Sequence, residues 1–272
     1  MEQHEEARGA DAPPPYVAVQ REATRLLPPV QTVTVLAPFR WLRLGWDDFT
    51  ASWKASAFYG IVFAGMGWLV ALVFRHAPQY LWGLTTGFLL VGPFLAIGLY
   101  ELSRRRERGE PPWLAPTLDA WRPNVGAIGM FALVLGVLLL VWSRASLVVI
   151  AVSFPDAMPT IETFFANVLS LTNLEFLLVY FAVGGFFAGL VFAISVVSVP
   201  MMLDRDTDGI AAALTSLRAC RENVLPMAVW GALIALVIGA GFAFWFAGLV
   251  VAVPVIGHAT WHAYRELVTA VR

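Results

Sequence analysis

The chain has 272 residues, 59% of them hydrophobic and 14% charged, with a mean hydropathy of +0.71. Apolar content of that order exceeds what a soluble core requires and points to an all-α, polytopic membrane protein. The net charge of −1 gives no basic excess for nucleic acid, and a single cysteine, Cys220, excludes both an intrachain disulfide framework and a thiolate metal site.

Residues Met1 to Leu36 mix Glu, Arg, Ala and Pro around the run Pro13-Pro14-Pro15 and lack an apolar signal core. They are expected to be a disordered cytoplasmic tail (1–36) ahead of a membrane domain (37–272). From Phe39 the residues Phe39, Leu42, Trp46, Phe49 and Trp53 follow a 3-4-3-4 spacing, with Arg40, Arg43, Asp47, Asp48 and Lys54 between them. That spacing predicts an amphipathic helix, and Trp41, Trp46 and Trp53 place it in the headgroup layer.

Six passes follow, at about 56–74, 78–102, 125–143, 174–203, 224–242 and 244–264. Arg104, Arg105, Arg106 and Arg108 stop the second, after which Leu114, Leu118 and Trp121 predict a short second amphipathic helix. After Arg144 comes an apolar piece, Ala145 to Phe154, and then a segment with Ile161, Phe164, Phe165, Val168 and Leu171 on one helical face. At about 13 residues that segment is too short to cross and reads as an outer-surface helix. The fourth pass is longer than a bilayer needs, so it tilts or kinks near Pro200.

The run from Val224 to Gly257 carries no charge. As one helix it would be about 51 Å long against a core of about 30 Å, so a hairpin reversal is placed at Gly239 to Trp245. With six passes, all but two of the 18 basic residues, Arg75 and Arg144, fall on one side. The positive-inside rule makes that side cytoplasmic and puts both termini there.

Leu118-x-Ala120-x-Arg122-x-Asn124 before the third pass recurs as Leu217-x-Ala219-x-Arg221-x-Asn223 before the fifth. Pro93 precedes Arg104 by 11 residues and Pro254 precedes Arg265 by 11, with Tyr100 and Trp261 each 7 after the proline. These correspondences predict three hairpin repeats.

The blocks Gly45-Trp46, Gly92-Pro93 through Tyr100-Glu101, Arg104 to Pro111, Phe181 to Asp206 and Gly257 to Arg265 resemble a family of bacterial predicted integral membrane proteins of unknown function. The resemblance runs from about Trp41 to Val268. Some members carry the label of cytochrome c oxidase subunit, so the resemblance implies a bacterial inner-membrane protein and, as a partner, a respiratory oxidase. It brings no established activity.

Three sets of residues stand out as candidates. His258 and His262 share one helix face about 6 Å apart, a spacing that suits a metal or an axial haem ligand. No other histidine lies within a pass, and Trp261, Tyr264 and Arg265 beside them mark an interfacial belt, so a structural role is the favoured reading and no cofactor is expected. Asp204, Asp206 and Asp208 imitate the opening of a calcium loop, but Thr215 stands where the closing Glu belongs, which favours capping of the following helix. Gly185, Gly189 and Ala193 form a small-residue stripe suited to helix packing.

Glu101, Glu175 and Arg144 fall at interfaces and no other Asp, Glu, Lys or Arg lies between the ends of the passes, which disfavours ion-coupled transport. No Ser/His/Asp, metal-ligand or phosphate-loop spacing marks an enzyme. The expected function is a non-catalytic accessory or assembly component in contact with the lipid bilayer and other membrane subunits. The alternative is a small-solute or lipid transporter.

Overall fold

A computed structural model describes residues 27–76, 81–154 and 173–268. Nine α-helices carry the described chain: α1 (Ala37–Ala51), α2 (Trp53–His76), α3 (Leu81–Glu107), α4 (Val125–Ser153), α5 (Leu174–Ser195), α6 (Ser198–Asp204), α7 (Gly209–Glu222), α8 (Val224–Ala243) and α9 (Leu249–Leu267). Among the described residues four stretches are long and apolar enough to cross a membrane: Trp53–Val73, Ala115–Ser153, Leu174–Asp204 and Val224–Ala243. The all-helical class expected from the composition is therefore observed, with four crossing helices by this measure.

The centre of the bundle is α9. Thirteen of its 19 residues are buried, so the most polar of the long C-terminal stretches is also the one the others wrap. Close approach makes this possible. A Cβ added at Gly45 of α1 would come within 2.5 Å of the Val255 carbonyl and 2.7 Å of the Ala259 nitrogen, so only glycine lets α1 cross α9 there. Gly60 of α2 likewise lies against the Val250 carbonyl. Pro254 lacks the N–H that would bond that carbonyl, so the gap in the helical ladder is where α2 comes closest.

The aromatic stripe expected on α1 does not face the protein. Phe39, Trp46 and, past the helix, Trp53 are each about half exposed, while Ala37, Pro38, Trp41, Gly45 and Asp48 are buried. The buried face of α1 thus carries Trp41 with small residues and Asp48, and the outer face carries Phe39 and Trp46.

Several expected boundaries shift. The second amphipathic helix is replaced by two 3₁₀ turns, Ala115–Thr117 and Arg122–Asn124, because Pro116 and Pro123 each remove a helical donor. The piece 145–154 continues α4 through Arg144 to Ser153. The long fourth pass breaks at Val196 and Val197, four residues before Pro200, which cannot donate to the Val196 carbonyl. Ser216 of α7 closes the break, donating to the Ala193 carbonyl at 2.7 Å and accepting from the Val197 N–H at 3.2 Å. The α8/α9 reversal lies at residues 244–248, where Trp245 and Phe246 adopt φ of 53° and 63° and the Trp68 indole donates to the Trp245 carbonyl. The short helix expected at 160–172 lies outside the described residues.

The expected tail ends in a fixed strand-like segment. Val30 pairs with Val268, the Gln31 N–H donates to the Leu267 carbonyl at 2.8 Å, and the Val33 N–H donates to Asn223 Oδ1 at 2.8 Å.

Candidate functional site

Asp48 and Ser52 are one turn apart on α1 and its joint, and Ser56 follows one turn into α2, so helical geometry sets three small polar side chains in a row. Ser103 and Arg106 come from the end of α3, and His258 and His262 from one face of α9. Asp48, Ser52, Ser56, Ser103 and His258 are all buried, the last two serines and the histidine at 2% exposure or less. Buried polar groups need partners, and here they find each other.

Ser103 Oγ donates to Asp48 Oδ2 at 2.6 Å and lies 2.7 Å from His258 Nδ1. Because that hydroxyl has one proton, His258 Nδ1 is the donor to Ser103, and its Nε2 accepts from Ser56 Oγ at 2.9 Å. Ser52 Oγ stands 2.9 Å from Ser56 Oγ and 2.7 Å from the Asp48 carbonyl, and its single proton serves one of the two at a time. His262 Nε2 donates to Asp48 Oδ2 at 2.9 Å, and the Arg106 guanidinium pairs with Asp48 Oδ1. The chain of contacts leaves Asp48 and returns to it, locking α1, α2, α3 and α9 together.

Burial alone would raise the Asp48 carboxyl, but hydrogen bonds from His262 and Ser103 and the nearby positive charge outweigh it and hold the group below its usual 3.8. It is therefore the anion at the centre of the network. The order Ser56, His258, Ser103, Asp48 resembles that of a hydroxyl activated by an imidazole. Yet Ser56 and His258 are both 0% exposed, so no solute reaches their contact in this arrangement.

A second cluster lies beside the first at the end of α9. The Trp41 indole donates to Glu266 at 2.7 Å, the Trp261 indole to Glu107 at 3.1 Å, and the Tyr264 hydroxyl to Asp204 at 2.7 Å. Arg265 joins Glu107 at 2.8 Å and Asp204 at 3.2 Å. On the next element Arg104 donates to the Leu203 carbonyl at 2.8 Å. The bundle thus ends in a platform of paired charges and capped carbonyls.

The structure separates the three candidate sets. His258 and His262 both belong to the network, but with different partners: both His258 nitrogens face serines and His262 faces Asp48. Asp204, Asp206 and Asp208 do not converge. Asp204 pairs with α9, Asp206 is exposed, and Asp208 caps α7 by accepting from the Ile210 and Ala211 N–H groups at 2.8 and 2.9 Å. Among the described residues no group of three or more His, Cys, Asp and Glu side chains is placed to hold a metal. Along the α5 stripe a Cβ at Gly185 or Gly189 would meet nothing within 4 Å among the described residues, whereas Ala193 sits under Ser216 of α7.

Sequence reading did not single out Ser52, Ser56, Ser103 or Gly60, and it named Asp48 only among the charges of the first helix and Gly45 only in a block of the resemblance. One signal was there to find: Gly45, Asp48, Ser52 and Ser56 recur at helical spacing from α1 into α2, on the side away from Phe39 and Trp46. A row of small and polar residues facing away from lipid is where another helix packs.

Both Asn residues of the repeated motif serve alike. Asn124 (φ −125°, ψ 34°) and Asn223 (φ −132°, ψ 45°) each precede a long helix. Asn124 donates to the Met202 and Thr207 carbonyls, and Asn223 to the Gln31 carbonyl. The preceding segments differ, 3₁₀ turns in one case and α7 in the other.

Apolar helices of crossing length, set on a polar platform, define an integral membrane protein of the all-helical class. Residues 81–204 match the model of a family described as predicted integral membrane protein (DUF2189). No curated protein and no solved structure matches the chain.

Proposed function

We propose that the protein is a non-catalytic accessory or assembly component of a bacterial inner membrane, crossing it six times with both termini in the cytoplasm. The carrying observation is the contrast within the bundle: only 6% of the apolar window of Leu174–Asp204 is buried, and the Gly185 and Gly189 faces of α5 stand open. Small open faces on a crossing helix suit a second helix from another subunit. The polar groups support the same reading, because they are tied to one another at one end instead of lining a path between the ends. The label carried by some relatives in the resembling family makes a respiratory oxidase the first partner to test.

Purification in mild detergent tests the proposal. Oxidase subunits that co-purify with the protein, and are lost with Gly185→Leu or Gly189→Leu, support it. Recovery of the protein alone, with solute or lipid flux in reconstituted vesicles, replaces it by the transporter reading. Reporter fusions test the topology: a periplasm-active reporter working after Arg272 and silent at Met158 overturns it.

A further inference from the structure

A groove of about 580 Å³ runs between the outer face of α1 and the α8/α9 hairpin. Its walls are Phe39, Leu42 and Trp46 above, and Val237, Ala240 and Val251 among others below. From Val255 to Gly248 it follows α9 for about 10 Å of helix rise. Gly241 and Gly248 nearly touch at its far end, since a Cβ on Gly248 would lie 2.8 Å from the Gly241 Cα.

One charged side chain stands on this wall, Arg43, at the end formed by α1. The platform pairs its neighbours: Arg40 with Glu266, Arg104 with Glu101, Arg105 with Glu110 and Arg106 with Asp48. Arg43 has no ion pair among the described residues, although Asp47 follows it by one turn. Its side chain is exposed between the half-exposed rings of Phe39 and Trp46.

We propose that this groove is a binding site for one anionic glycerophospholipid. The headgroup phosphate meets the Arg43 guanidinium, and an acyl chain lies along the groove between α8 and α9. Two features select this occupant. The apolar groove would gain nothing from a free phosphate, and an unpaired guanidinium beside interfacial aromatics complements a headgroup charge. The site does not depend on the accessory reading, since α5 takes no part in it.

Native mass spectrometry of the full chain in mild detergent, supplied with phosphatidylglycerol or phosphatidylcholine of identical acyl chains, tests the site. A basic side chain near the membrane surface favours an anionic lipid about fivefold, and that preference is expected for one retained lipid. Arg43→Gln is expected to abolish the preference, with an unchanged thermal midpoint because the residue is exposed, while Arg221→Gln on α7 leaves it intact. Ala240→Phe, which fills the groove from an exposed position, is expected to release both lipids. Equal retention of the two lipids by the wild type, or an undiminished preference in Arg43→Gln, overturns the proposal. So does retention of the anionic lipid by Ala240→Phe, which would mean charge without the groove.

Discussion

The surroundings of α9 and those of α5 are built on opposite terms. Around α9, helices approach through Gly45 and Gly60, and every named polar group of the Asp48 network has a partner. Around α5, large apolar side chains such as Leu178, Phe181 and Phe186 are exposed, and among the described residues a Cβ at Gly185 or Gly189 would meet nothing. Lipid solvates an apolar side chain as well as protein does, so hydrophobicity alone does not decide which helix is central. Backbone proximity and the need to satisfy polar groups decide it, which is why the helix carrying two histidines is the hub.

The sharpest way to break the contrast is at Asp48. Asp48→Leu leaves Arg106, His262 and Ser103 without their acceptor, and removal of one partner from a largely buried pair is expected to destabilise by about 3 kcal/mol, read as a lowered thermal midpoint in detergent. The same carboxyl gives a pH signature. Its folded value lies below the unfolded 3.8, so its contribution is present above that pH and fades as pH falls through the folded value. The stability gap between wild type and Asp48→Asn should therefore narrow as the pH falls below 3.8. A gap that widens there would contradict an anionic Asp48.

A matched pair of glycine substitutions sharpens the comparison directly. Gly45→Val pushes a side chain into the Val255 carbonyl and is expected to destabilise by about 2 kcal/mol, in the range of overpacked cores. Gly185→Val meets open space and should change stability by less than about 0.5 kcal/mol. Equal effects at the two sites would erase the distinction drawn here between hub and periphery.

Smaller still is the effect expected at Asn223, whose side chain bonds the Val33 N–H and the Gln31 carbonyl. Asn223→Ala should destabilise by about 1 kcal/mol and speed amide exchange at Val33. The least perturbing probe is Cys220. Burial pushes its thiol up to about 11, so alkylation near neutral pH should run at least about tenfold slower than for a free cysteine.

The sequence made the all-helical class legible in its long apolar runs, and four of the six expected passes coincide with stretches of crossing length among the described residues. It also pointed to His258 and His262 as a pair on one face. The partners were hidden, since Ser56 and Ser103 lie 202 and 155 residues from His258 along the chain and Asp48 lies 214 residues from His262, and only the fold brings them together. The small-residue rule holds for Gly45 and Gly60, where an added Cβ would meet the Val255 and Val250 carbonyls, and not for Gly185 and Gly189 of the regularly spaced α5 stripe. Spacing reveals a stripe, whereas a single close crossing depends on the partner's backbone, here the carbonyl that Pro254 leaves without a donor.

The pairing of Val30 with Val268, and the central place of α9, set the order in which the bundle can be completed. A chain is made from its N-terminus, so α1 to α5 emerge before the helix they enclose exists. Until α9 arrives, Asp48 and Ser103 have no imidazole, Gly45 and Gly60 have nothing to cross, and residues 30–33 have no strand to join. Insertion into the membrane and closure of the bundle are thus separate events in time, and the second waits for the last helix to be delivered.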